Sequence, residues 1–318
     1  MELNVQTKKR WKKVIFWLFI VFIVSFLALL IAIPTLISSK ILNTHVDFST
    51  VYKAEDYGLS AEKLTLETAD QLKVMAYEVN VENPKAVVIF LSGIHNPSVT
   101  AFYGHAAMLK EQRYASILLE MRAHGESEGD VIGVGFTEVQ DVQAVVDYIQ
   151  KQEKYNDVPI VLYGLSLGGA VAINATGMIP EVDGLMSFSS FASYEDMFVD
   201  NMRKEGAPEA YITIQKPFIQ LYTMMKFGIK RSDLAPEKQI QNLRERPALI
   251  YHSKEDSQIN YHHFETIMEN APSHVEKRVV DGDKHFPTED LLNPKEDKEY
   301  EEMMLNFLDK HFNNNRGN

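Results

Sequence analysis

The sequence predicts an α/β architecture, a mostly parallel twisted sheet with helices on both faces, preceded by one membrane-spanning helix. Three observations predict it. A run of 24 uncharged residues, Val14–Ile37, stands near the start of the chain. Short continuous apolar runs follow, of the kind that fills a sheet buried on both faces. Between them lie segments with apolar residues at helical spacing.

Val14–Ile37 (VIFWLFIVFIVSFLALLIAIPTLI) is long enough to cross a hydrocarbon layer of roughly 30 Å with some tilt. Lys8, Lys9, Arg10, Lys12 and Lys13 precede it, and only Lys40 follows closely. The positive-inside bias keeps the N-terminus (1–13) in the cytoplasm and sends the remaining chain across. Trp11 and Trp17 fall near the inner boundary. A cleaved signal peptide is the competing reading. Its apolar core spans about 7–15 residues and ends in an A-x-A-like site, which Ile37-Ser38-Ser39 does not supply. Residues 38–60 read as a linker.

The hairpin comes next: Lys63–Thr68 and Leu72–Val79 alternate with period two around Ala69-Asp70-Gln71. Ala86–Leu91, Ser116–Met121, Pro159–Tyr163, Gly184–Phe188 and Pro247–Tyr251 are the buried strands, and His274–Val280 the last one. Val139, Val142, Val145, Val146 and Ile149 form one helical stripe, with Thr137 and Gln140 at the spacing of a capping box. Lys295–Phe312 reads as the closing helix and 313–318 as a disordered tail. Residues 191–230 hold four Met, four Phe and three Tyr in a connection too long for a plain loop. Residues 191–245 therefore read as a helical insertion, either additional core or a lid lining an apolar pocket.

The composition excludes several chemistries. The 318 residues include no cysteine, which removes disulfides, thiolate metal sites and a cysteine nucleophile. The net charge of -12 argues against nucleic-acid binding. Neither H-x-H nor H-E-x-x-H occurs, so a zinc hydrolase lacks its ligand pattern.

The chemistry concentrates at Gly164-Leu-Ser-Leu-Gly-Gly169, a G-x-S-x-G directly after a buried strand and before the small-residue segment Ala170–Ala175. Such a turn projects Ser166 from the carboxyl end of the sheet, with the amide of Leu167 and a helix N-terminus facing any developing oxyanion. A serine hydroxyl needs a base, and the base an orienting acid. His285 follows the last strand in Asp281-Gly-Asp-Lys-His-Phe286. Asp256 follows the strand before it, in His252–Ile259, with Glu255 as the competing carboxylate. The order Ser166, Asp256, His285 is the one this architecture requires. His262, His263 and His45 are assigned no catalytic role.

From about Ala61 to Phe312 the sequence resembles the α/β-hydrolase superfamily, in particular its membrane-anchored, lid-bearing bacterial serine hydrolases of esterase and lipase type. Phe90-Leu-Ser-Gly-Ile94 stands where the family has its His-Gly oxyanion loop, and Glu120-Met-Arg-Ala-His-Gly-Glu-Ser127 resembles D-x-R-G-H-G-x-S. The resemblance implies an oxyanion hole from the amides of Ile94 and Leu167. It also implies hydrolysis of an ester, with lipid or acyl esters as candidate substrates, and no metal or cofactor. Ser92 replaces the usual His, Glu120 the Asp, and Ser253 a Gly ahead of the acid. Arg122 and His124 read as braces of their loop. A peptidase on this fold and a non-catalytic, tethered binding protein are the alternatives.

Overall fold

The computed structural model describes residues 2–95, 97–229 and 233–313, with the side chains of the first helix described from Lys9 onward. The five positions 314–318 of the expected tail lie outside the described residues. Strands β1 (Glu62–Glu67) and β2 (Lys73–Val79) form the antiparallel hairpin. β3 (Val87–Leu91), β4 (Ala115–Glu120), β5 (Ile160–Leu165), β6 (Gly184–Phe188), β7 (Ala248–Ser253) and β8 (Glu276–Val280) run parallel to one another. The eight-stranded order is β1-β2-β4-β3-β5-β6-β7-β8.

Alternate side chains of each strand point to opposite faces, so one buried run feeds two cores. Val87, Ile89 and Leu91 pack with α3 (Val139–Gln150) and α4 (Leu167–Met178); Val88 and Phe90 pack with α2 (Tyr103–Glu111) and α9 (Lys298–Phe312). With six strands parallel, their carboxyl ends share one edge. The loops after β3, β4, β5, β7 and β8 therefore converge there.

Three elements differ from the sequence expectation. The capping box at Thr137 does not form. Glu138 precedes α3, and its carboxylate accepts the amides of Gly133 (2.6 Å) and Gly135 (2.9 Å), so this buried acid organises the turn instead.

The first helix, α1 (Glu2–Leu42), passes beyond Ile37 and ends on the domain. Its Lys9–Leu42 stretch is long and apolar enough to cross a bilayer. Leu30, Pro34, Ser38 and Leu42 form one buried stripe at four-residue spacing, and the Leu42 carbonyl accepts the Ile132 amide at 2.8 Å. The residues after it, expected as a linker, are docked: Val46 exchanges backbone hydrogen bonds with Ala123 and Gly125. His45 lies between the carbonyls of Gly129 (2.8 Å) and Gly125 (2.9 Å), and these bonds raise its pKa.

The insertion is helical: α5 (Tyr194–Lys204), α6 (Glu209–Phe227), the short α7 (Pro236–Gln239), then a 3-10 turn, Ile240–Leu243. It lies beside the sheet and against α1, and α8 (His262–Asn270) packs on α7.

Candidate active site

Ser166 closes β5 and caps α4 with φ 56° and ψ -117°. This left-handed conformation is strained for a residue with a side chain, and the surrounding glycines permit it. A Cβ at Gly164 would lie 2.1 Å from the Gly168 carbonyl oxygen, and one at Gly168 would lie 2.2 Å from that of Leu91. The bend is fixed further by the Ser166 amide, which donates to the Phe188 carbonyl at 2.8 Å.

His285 and Asp256 arrive on the loops after β8 and β7. His285 Nδ1 lies 2.8 Å from Asp256 Oδ2, and both side chains are buried. An Nδ1–H donating to this carboxylate leaves Nε2 as the free basic nitrogen. The other oxygen, Oδ1, accepts the amides of Gln258 (2.8 Å) and Ile259 (2.9 Å). Burial alone would raise the Asp256 pKa. The bond to His285, that residue's charge and the two amides outweigh it and hold the carboxyl below its ordinary value. His252 approaches the same oxygen to 3.9 Å, but burial lowers its pKa and its Nε2 donates to the Ile259 carbonyl.

Glu255 is turned elsewhere, its carboxylate accepting the Gly282 amide. Ser253 has a use that its comparison with glycine hid. Its hydroxyl donates to the Gly282 carbonyl and accepts the Lys284 amide at 3.0 Å, clamping the His285 loop to the Asp256 loop. The sequence signal for this clamp was a hydroxyl residue at a strand end facing an Asp-Gly turn.

Ser166 and His285 line one cleft of about 80 Å³, together with Ser92, Gly93 and Ile94 from the loop after β3. Phe102, Phe286 and Leu291 supply its apolar wall. Ile94 turns its carbonyl to His124 Nε2 (3.0 Å), whose Nδ1 meets the Arg122 carbonyl at 2.8 Å. Leu167 is the first residue of α4, a position whose amide has no acceptor within its own helix. Arg122 is itself held by Asp70 and Asp141, each within 2.7 Å, and so braces the loop. None of the described residues of 191–245 lines this cleft. Ile212 and Ile219 of α6 are buried, while Ile214, Leu221 and Met225 stay exposed.

Asp200, His262 and His263 place ligand atoms within 4.8 Å of one another. The Ala192 amide donates to His263 Nδ1 at 3.2 Å, which puts the ring proton on Nε2, the atom facing Asp200. Arg203 also holds Asp200 at 2.7 Å. These partners fit a latch between α5 and α8 better than a metal centre.

The sheet order, the strand-turn-helix at Ser166 and the helices on both faces define an α/β-hydrolase fold. Residues 82–215 match the hydrolase family described as Serine aminopeptidase, S33. Among solved structures, the Pyrococcus furiosus esterase Pf2001 is similar over 85% of this chain and 98% of its own, with a TM-score of 0.65 at 20% identity. The Saccharomyces cerevisiae membrane protein YNL320W is 28% identical over 143 residues, covering 43% of this chain and 48% of its own length. YitV of Bacillus subtilis, named as an esterase candidate, is 22% identical over 63% of this chain and 80% of its own. The chain thus spans about half the length of the yeast relative.

Proposed function

We propose that this protein is a membrane-anchored serine hydrolase that cleaves carboxylic esters. The observation that carries the reading is the hydrogen-bonded Asp256–His285 pair opening onto the same cleft as Ser166. In this mechanism His285 Nε2 takes the proton of Ser166 Oγ as the oxygen attacks the ester carbonyl. Asp256 holds the imidazole tautomer and stabilises the imidazolium. The amides of Ile94 and Leu167 receive the oxyanion. His285 then protonates the leaving alkoxide, and the cycle repeats with water to release the acid. These residues do the chemistry without a metal or cofactor.

The described residues lining the cleft include no carboxylate to hold a substrate ammonium, which disfavours an aminopeptidase despite the family's description. α1 is read as a single-pass anchor with its basic flank in the cytoplasm and the catalytic domain on the far side of a cell membrane. The likeness to a named membrane protein supports the anchor.

The test is turnover of p-nitrophenyl esters of rising chain length beside aminoacyl p-nitroanilides. The esters should be cleaved and the anilides left intact. Turnover of the anilides alone would overturn the ester reading in favour of a peptidase, and no turnover of either would favour a tethered binding protein.

A further inference from the structure

The loop that carries Ile94 runs directly beside the nucleophile: a Cβ at Gly93 would lie 3.6 Å from that of Ser166. Little holds this loop from within. Among the described residues, the bond between the Ile94 carbonyl and His124 Nε2 (3.0 Å) is the one hydrogen bond made by the Gly93–Ile94 backbone. A carbonyl only accepts, so this bond needs a proton on Nε2. The His124 ring is buried, and its Nδ1 is set against the Arg122 carbonyl at 2.8 Å.

The loop that bears His124 is strained in its turn. Ala123 adopts φ 60°, a left-handed conformation that persists in a residue with a side chain only where the surroundings enforce it. Much of the enforcement comes from the segment that follows α1. The Val46 amide donates to the Ala123 carbonyl at 2.8 Å, and the Gly125 amide donates to the Val46 carbonyl at 2.9 Å. His45 lies between the carbonyls of Gly125 and Gly129, further along the same loop. Phe48 stacks on the His124 ring, with centroids 6.1 Å apart and planes inclined by 26°. The catalytic reading uses none of these residues, yet they grip the one side chain that holds Ile94.

We propose that His124 is a positioning residue of the oxyanion hole, and that His45–Phe48 is the strap that fixes it there. The inference rests on the reading of Ser166 as nucleophile and of the Ile94 amide as an oxyanion donor. With β3 fixing the chain on one side and the bonded carbonyl on the other, the Ile94 amide is held in one orientation. Such a donor acts on the transition state more than on the bound substrate, so its placement belongs in kcat. Because the strap continues α1, an unbroken series of contacts runs from the last turn of that helix to the oxyanion loop.

The test exploits the two nitrogens of the ring. A glutamine amide nitrogen reaches the position of Nε2, and an asparagine nitrogen only that of Nδ1. Full-length His124→Gln, His124→Asn and Phe48→Ala variants are assayed on p-nitrophenyl esters, with urea midpoints to establish folding. They are also titrated with a trifluoromethyl ketone, whose carbonyl carbon takes up the Ser166 oxygen to give a tetrahedral oxyanion while the proton passes to His285. His124→Asn should lower kcat about 10²-fold, the cost of displacing a catalytic group by about 1 Å, and leave KM within about twofold. Its affinity for the ketone should fall by the same factor as kcat/KM. His124→Gln should keep kcat within about tenfold of wild type, and Phe48→Ala should lose about fivefold in kcat at unchanged KM. Equal losses in the Asn and Gln variants, or a raised KM with kcat intact, would mean that the ring only packs, and would overturn the proposal. If His124→Asn does not fold, the half-buried Phe48 decides: reduced kcat and ketone affinity in folded Phe48→Ala support the strap, and wild-type values overturn it. A wild type that neither cleaves esters nor takes a fluorophosphonate label defeats the hydrolase reading, and this proposal with it.

Discussion

The turn around Ser166 and the insertion at residues 191–245 are held by different kinds of force. At the turn, sterics leave one solution: side chains at Gly164 and Gly168 would collide with backbone oxygens at close to 2 Å, so the chain bends one way and Ser166 is carried to φ 56°. In the insertion, burial of apolar faces does the work, and that force is non-directional. It dictates that α6 hide Ile212, Ile219 and Thr223, and it does not dictate against what. A collision between neighbours in sequence fixes geometry, whereas an apolar stripe fixes only a demand for a partner.

The largest expected effect breaks the turn's chemistry while keeping its shape. Ser166→Ala should lower ester turnover by about 10⁴-fold or more and abolish labelling by a fluorophosphonate probe. Undiminished labelling would show that another residue is the nucleophile. Next in size is the acid. Asp256→Asn should reduce kcat by about 10³–10⁴-fold because it forces the wrong tautomer on His285. Glu255→Gln, which touches only the Gly282 amide, should stay within about tenfold, a factor equivalent to 1.4 kcal/mol. The reverse ranking would move the acid by one residue.

Stability measurements sharpen the same contrast. Gly164→Ala drives a methyl into the Gly168 carbonyl and should destabilise the fold by about 4 kcal/mol or more, read from urea midpoints. Leu221→Ala, on the exposed flank of α6, should change stability in detergent by no more than about 0.5 kcal/mol. Similar losses at both positions would mean that the insertion is held as rigidly as the turn.

The same difference explains what could be read in the sequence. The five central strands were legible because Val87–Leu91 is apolar throughout and its counterparts mostly so, and the hairpin because it alternates. Ser166 was legible because a glycine pattern encodes a collision. Asp256 and His285 were chosen by strand ends, with Glu255 as the competing carboxylate; both acids sit on one loop, and which of them meets the imidazole is visible only in the fold. The role of the insertion was not legible, because its Met- and Phe-rich composition is equally compatible with a pocket lid and with additional core. Thr137 misled for a related reason: the capping spacing was present, but Glu138 satisfies the loop amides first.

An effect smaller than that of Gly164→Ala probes what ties the insertion to the frame. Asp200 on α5 meets His262 Nε2 at 2.6 Å and lies 3.4 Å from His263 Nε2, both on α8. Burial would raise its pKa, but the nearby His263 and the hydrogen bond from His262 bring it down to about 2. A carboxyl whose folded pKa is depressed adds stability above its unfolded pKa, about 3.9, and loses it as pH falls through the folded value. Asp200→Asn should therefore destabilise the protein by about 2 kcal/mol at neutral pH, following the equivalence of 1.36 kcal/mol per pKa unit. The difference from wild type should hold down to about pH 4 and vanish toward pH 2. Denaturant midpoints at stepped pH test this. A difference that instead grew on acidification would mean that Asp200 is neutral in the fold, and that the apolar contacts of α5 and α6 hold the insertion without a charged latch.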